Sequence, residues 1–166
     1  MESAWLSFAI VALSQLMLFV GYVCYTKRFS DVITILRRGI LTGIVVGLLS
    51  NLLLGKLLGF WSYTLGFGPL SLIMAAVFIY GLFACNVLLL QNVGFRHFFI
   101  WIMTTMVVYE STNYLFQVWT YELPFSTSGL LLFLIIGYLG TAIFMAVVWH
   151  KIFDVRFYFL DTLLKR

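Results

Sequence analysis

The sequence predicts an all-α fold: a polytopic integral membrane bundle of five transmembrane helices, built as two parallel helical-hairpin repeats and closed by a short C-terminal interfacial helix. Three observations predict it. The chain of 166 residues is 63% hydrophobic and only 10% charged, too little polar surface for a soluble domain. Its apolar runs recur at lengths of about 20 residues, enough to cross the ~30 Å hydrocarbon core of a bilayer. Its Lys and Arg collect at alternate ends of those runs, which sets orientation by the positive-inside rule. The chain reads as one domain, 1–166.

The first span is 5–25. It follows Glu2, not a basic leader, and lacks a small-residue cleavage pattern, so it is expected to be retained as a helix and not removed as a signal peptide. Segment 26–38 carries Lys27, Arg28, Arg37 and Arg38 against one Asp31, the strongest basic cluster, and is expected to be a cytoplasmic loop. The second span, 39–58, starts with Gly39, Gly43 and Gly47 at four-residue spacing. That stripe suits close approach of another helix, within the chain or in a second copy. An aromatic and glycine-rich loop follows, in which Pro69 fits the first turn of the third span, 70–90. Arg96 and His97 mark a return to the cytoplasm before the fourth span, 98–118. The loop 119–128 has Glu122 and Pro124 but neither Lys nor Arg, so it faces outward. The fifth span, 129–150, leads to a tail, 151–166, expected to lie on the cytoplasmic surface with Phe153, Phe157, Leu160 and Leu164 on one face. This arrangement puts the chain in the cell membrane as a multi-pass protein, amino terminus outside and carboxyl terminus cytoplasmic.

One residue breaks the apolar pattern. Glu110 lies deep inside the fourth run, where a carboxyl must be paired, hydrated or protonated, and an ionisable residue at such a depth marks a candidate site. At about 100° per residue, Met103, Met106, Glu110, Asn113, Tyr114 and Gln117 share one side of a helix. Glu110 is the candidate proton donor; if the carboxyl serves only as interhelical glue, its expected partner is Asn113 or a neighbouring helix. Asn113, Tyr114 and Gln117 are the neighbouring candidate ligand contacts, joined by aromatic residues Trp61, Tyr63, Trp119 and Tyr121.

Those aromatics also reveal an internal repeat. Phe60-Trp61-Ser62-Tyr63 and Val118-Trp119-Thr120-Tyr121 are related by a shift of 58 residues, and each joins two spans. In that register Leu52 takes the place of Glu110, so the polar residues are not repeated. The ten basic residues serve membrane topology, and no nucleic-acid partner is expected. Cys24 and Cys85 are expected to be free, buried and unreactive, and no metal ligand set or cofactor motif is visible.

An acidic residue nine positions before Trp119, the Trp-x-Tyr itself and a proline shortly after it together resemble the repeat of the lycopene cyclase domain and related small helical membrane proteins of isoprenoid metabolism. Tyr109-Glu110 stands where that family has its aromatic-acidic pair. The resemblance extends over about two thirds of the chain, the fourth and fifth spans most clearly. The family's paired glutamates after the proline are absent, since Leu70-Ser71-Leu72 follows Pro69 and Phe125-Ser126-Thr127 follows Pro124.

Two classes of function fit these residues. One is a non-catalytic membrane subunit or transporter-like component that binds a lipid or a protein partner in the bundle, as a monomer or a homo-oligomer. It is favoured by the lack of a nucleophile-base pair or phosphate loop. The alternative, which the resemblance implies, is a membrane cyclase for an isoprenoid, with Glu110 giving a proton to the substrate and aromatic faces steadying the positive charge that develops.

Overall fold

The computed structural model describes residues 2–66 and 68–164, with side chains from 4 to 162 apart from residue 67. Helix α1 is Glu2–Thr26, ended by Lys27 at φ 56. After a short turn at Phe29–Asp31, α2 runs Val32–Ser50 and continues through a wider π-helical segment, Asn51–Leu57. Strand β1 is Trp61–Tyr63. Helix α3 begins at Pro69, in the first turn where a missing N–H costs nothing. It runs through Pro69–Met74, a second π-helical segment at Ala75–Gly81 and a regular end at Leu82–Leu89. Helix α4 is Phe95–Phe116, β2 is Trp119–Tyr121, α5 is Thr127–Ile152 and α6 is Tyr158–Leu164.

Four of these helices, α1, α2, α3 and α5, are long and apolar enough to cross a membrane. The fourth expected span is present as a helix, but α4 is not among them. Its first half bears Arg96 and His97, and its second half Glu110, Ser111, Thr112 and Asn113, which dilute the apolar residues between.

The boundaries depart from expectation in instructive ways. Arg37 and Arg38 lie inside α2 and not in a loop, because basic residues mark a membrane surface without breaking a helix. Helix α4 stops at Phe116, since Gln117 takes a left-handed conformation at φ 49 and turns the chain toward β2. The C-terminal segment does not simply lie on the surface. Phe157, Phe159 and Leu160 are buried and Phe153 is exposed. The Phe157 ring stacks on Trp149 at 6.3 Å, and Phe159 meets Phe98 at 4.3 Å. The Tyr158 N–H donates to the Gln91 carbonyl at 2.8 Å, so the tail plugs one end of the bundle. Cys85 is buried, as expected, but Cys24 is exposed, because α1 turns that side outward.

Helix α2 packs along α3, α1 lies against α4 and α3, and α4 packs on α5. The glycine stripe makes the first of these contacts. A Cβ on Gly39 would come within 2.8 Å of the Cys85 nitrogen and one on Gly47 within 2.8 Å of the Ala76 Cα, while at Gly43 it would overlap the backbone of Tyr80 and Gly81. The stripe is therefore an intramolecular seam. At the opposite end from the tail, β1 and β2 pair antiparallel, Trp61 with Tyr121, Ser62 with Thr120 and Tyr63 with Trp119. The two Trp-x-Tyr segments thus bond to each other and join the hairpin α2–β1–α3 to the hairpin α4–β2–α5.

Candidate functional site

Beneath the paired strands lies a cavity of about 160 Å³ with aromatic walls. The strands contribute Trp61, Tyr63, Trp119 and Tyr121. Helix α3 adds Tyr80 and Phe83, α4 adds Tyr109, and α5 adds Phe133 and Tyr138. Only a few polar atoms interrupt this surface. The Tyr109 hydroxyl donates to the Ile79 carbonyl at 2.5 Å, tying α4 to the π-helical segment of α3 and removing that carbonyl from the cavity's needs.

Each Trp-x-Tyr pair is held by an oxygen on the helix before it. In the first hairpin the Asn51 Oδ1 accepts from Tyr63 at 2.8 Å and from the Trp61 indole N–H at 3.3 Å. In the second, Glu110 Oε1 accepts from Tyr121 at 2.8 Å and from Tyr138 at 2.7 Å, while the Trp119 indole donates to the Tyr121 oxygen at 3.0 Å. Asn51 stands ten residues before its Trp and Glu110 nine before its own. The π-helical turn that begins at Asn51 takes up the extra residue. Leu52, opposite Glu110 in the ungapped register, is exposed, and its neighbour Asn51 is the residue that accepts from Trp61 and Tyr63.

The expected site residues divide into three groups. Trp61, Tyr63, Trp119 and Tyr121 form the cavity wall. Glu110 sits one layer behind it, reaching the cavity through the phenols of Tyr121 and Tyr138. Asn113 is not Glu110's partner. Its side chain clamps the Trp119 backbone, accepting from the N–H at 2.9 Å and donating to the carbonyl at 3.1 Å, and so sets the start of β2. Tyr114 is 83% exposed and Gln117 caps the helix on the outside; neither reaches the cavity.

The sequence reading missed Asn51, Tyr80 and Tyr138. The signal for two of them was present, because a tyrosine follows each Trp-x-Tyr by 17 positions, Tyr80 after Tyr63 and Tyr138 after Tyr121. Both tyrosines line the cavity from the second helix of their hairpin, and Tyr138 joins that helix to the first through Glu110.

Burial, and then the Glu110 charge beside it, pushes the Tyr121 phenol up from its ordinary range; burial does the same for Tyr63. Both phenols stay protonated near neutrality and act as donors. Tyr63 donates to Asn51, while Glu110 accepts from Tyr121 and Tyr138, which suits a carboxyl that organises the wall. To protonate anything in the cavity, Glu110 would have to work through one of the two phenols. Among the described residues no three His, Cys, Asp or Glu side chains come together as a metal site.

No known family, curated protein or solved structure matches this chain.

Proposed function

We propose that this protein is a non-catalytic integral membrane protein of the cell membrane whose bundle binds the apolar end of a lipid or isoprenoid. The observation that carries this reading is the aromatic cavity itself. An apolar cavity of ~150 Å³ is enough to hold a benzene-sized group. One of about 160 Å³ therefore suits one end of a chain or ring and not a whole lipid. The withdrawn position of Glu110 supports binding over reaction. The resemblance to lycopene cyclase-like proteins supports an isoprenoid as the ligand, and the cyclase reading keeps one specific support, the phenol relay between Glu110 and the cavity.

In this reading α4 crosses the membrane as a fifth span. It is packed between α1 and α5, and the hydroxyls of Thr104, Thr105 and Thr112 donate to carbonyls of their own helix, which masks their polarity. Five spans place the amino terminus outside and the carboxyl terminus in the cytoplasm, with the two Trp-x-Tyr hairpins as a duplicated unit at the outer surface. A Glu122→Cys variant in intact cells should react with an impermeant thiol reagent. Reaction only after permeabilisation would reverse the orientation.

Gly137 offers the direct test of binding. It borders the cavity, and a Cβ there would meet nothing within 4 Å, so Gly137→Phe fills the space without a backbone clash. Native mass spectrometry of purified protein with farnesol should show a bound adduct that Gly137→Phe loses at unchanged thermal stability. Equal adducts on both proteins would rule out the cavity. Glu110→Gln should still bind farnesol; conversion of farnesol to a cyclic product by the parent and not by Glu110→Gln would establish the cyclase reading instead.

A further inference from the structure

A second hollow lies beside the cavity. It measures about 290 Å³ and lies between α2 and α5, bordered by Val46, Leu49, Ser50, Gly140, Thr141 and Phe144. Ser50 and Thr141 line both spaces, so the two adjoin. Contacts close this opening on either side. The Trp149 indole of α5 donates to the Thr42 hydroxyl of α2 at 2.9 Å at one end, and Phe60, in the turn between α2 and β1, meets Phe133 of α5 edge to face at 6.0 Å at the other. Between these contacts the helices part. The flanks are apolar and face outward, Leu49 54% and Phe144 59% exposed.

Gly140, like Gly137, has room for a Cβ with nothing within 4 Å, so neither glycine serves helix contact. From Leu54 at the cavity to Val46 in the groove is ~12 Å along α2 at ~1.5 Å per residue. A cavity of about 160 Å³, benzene-sized, admits the end of one hydrocarbon chain and not two. Where the spaces meet, the Thr141 hydroxyl makes no hydrogen bond among the described residues.

Building on the reading of the cavity as a lipid site, we propose that the fissure between α2 and α5 is a lateral portal. Through it a single extended hydrocarbon chain passes from the bilayer into the aromatic cavity, and the rest of that chain lies in the groove. The lining fits the occupant throughout: side chains with few polar atoms, the Ser50 and Thr141 hydroxyls at the junction, and open flanks on the faces of two helices apolar enough to sit in lipid.

The test uses two palmitic acid probes in nanodiscs, one with a diazirine at the chain end and one at mid-chain, with labelled residues found by mass spectrometry. The chain-end probe should label cavity residues such as Tyr80 or Phe133, and the mid-chain probe Leu49 or Phe144. Gly140→Phe should lose both sets of labels, and Phe144→Ala, which widens the groove, should increase them. Cavity labels that persist in Gly140→Phe would overturn the portal while leaving the cavity as a binding site. Labels spread evenly over the outer faces of α1 and α4, with none in the cavity, would overturn both. If Gly140→Phe does not fold, the Phe144→Ala result decides, and unchanged labelling there overturns the portal.

Discussion

The two hairpins share a plan and spend their small and polar residues differently. In the first, the glycines of α2 meet the backbone of α3 so closely that no side chain fits, and the Trp-x-Tyr pair is held by a neutral amide, Asn51. In the second, Gly137 and Gly140 of α5 face open space, and the holding group is a carboxyl, Glu110, shared between two phenols. Glycine thus does opposite work on the two helices that flank the fissure: on one it permits contact, on the other it preserves a void. The first hairpin carries the tight helix seam, and the second brings the open glycines and the ionisable group to a cavity that both hairpins line.

The comparison is broken most forcefully at Gly43. A leucine there would have to displace the backbone of Tyr80 and Gly81, and a backbone cannot rotate aside as a side chain does. Gly43→Leu should cost more than the ~1–3 kcal/mol typical of overpacking and remove the folded species from size-exclusion chromatography. A normal, monodisperse peak would show that α2 and α3 do not meet at this seam.

Glu110 comes next. Glu110→Ala strips the acceptor from Tyr121 and Tyr138, at roughly 1 to 3 kcal/mol for each phenol left without a partner, and Tm should fall accordingly. Glu110→Gln keeps an acceptor oxygen, as Asn51 does in the other hairpin, and should stay close to the parent. Equal stability of all three proteins would mean the carboxyl holds nothing in place.

The smallest effect is expected at the open glycines. Gly137→Ala and Gly140→Ala add a methyl where nothing is met, so helix propensity alone should act and stability should rise by up to about 1 kcal/mol. A clear loss at either position would show that another helix reaches it.

Much of this architecture was legible in the chain. The apolar runs located all five long helices, the four-residue glycine spacing located the α2–α3 seam, and Glu110 with the Trp-x-Tyr segments located the cavity to within one layer of side chains. What escaped notice has physical reasons. A π-helical turn changes the register by one residue without a mark in composition, so Asn51 was hidden behind Leu52. Helical periodicity put Asn113, Tyr114 and Gln117 beside Glu110, but the chain leaves the helix at Gln117 and folds Trp119 back over Asn113, so the amide serves β2 and not the acid. The pairing of β1 with β2 joins residues far apart in sequence, which no local pattern reports.

That distance has a consequence for assembly. Asn51 bonds partners ten and twelve residues away, all inside the first hairpin. Glu110 depends on Tyr138, 28 residues ahead, and the strands join segments 58 apart. During synthesis the first hairpin can set its aromatic pair before the second has left the ribosome, while the far wall of the cavity arrives only with α5. Cysteine cross-linking between Ser62 and Thr120 in nascent chains of increasing length should appear once α4 and β2 are out, ahead of any cavity. A ligand of the proposed lipid class, if already in the membrane, would therefore meet an open half-site during biogenesis, before the fissure has formed.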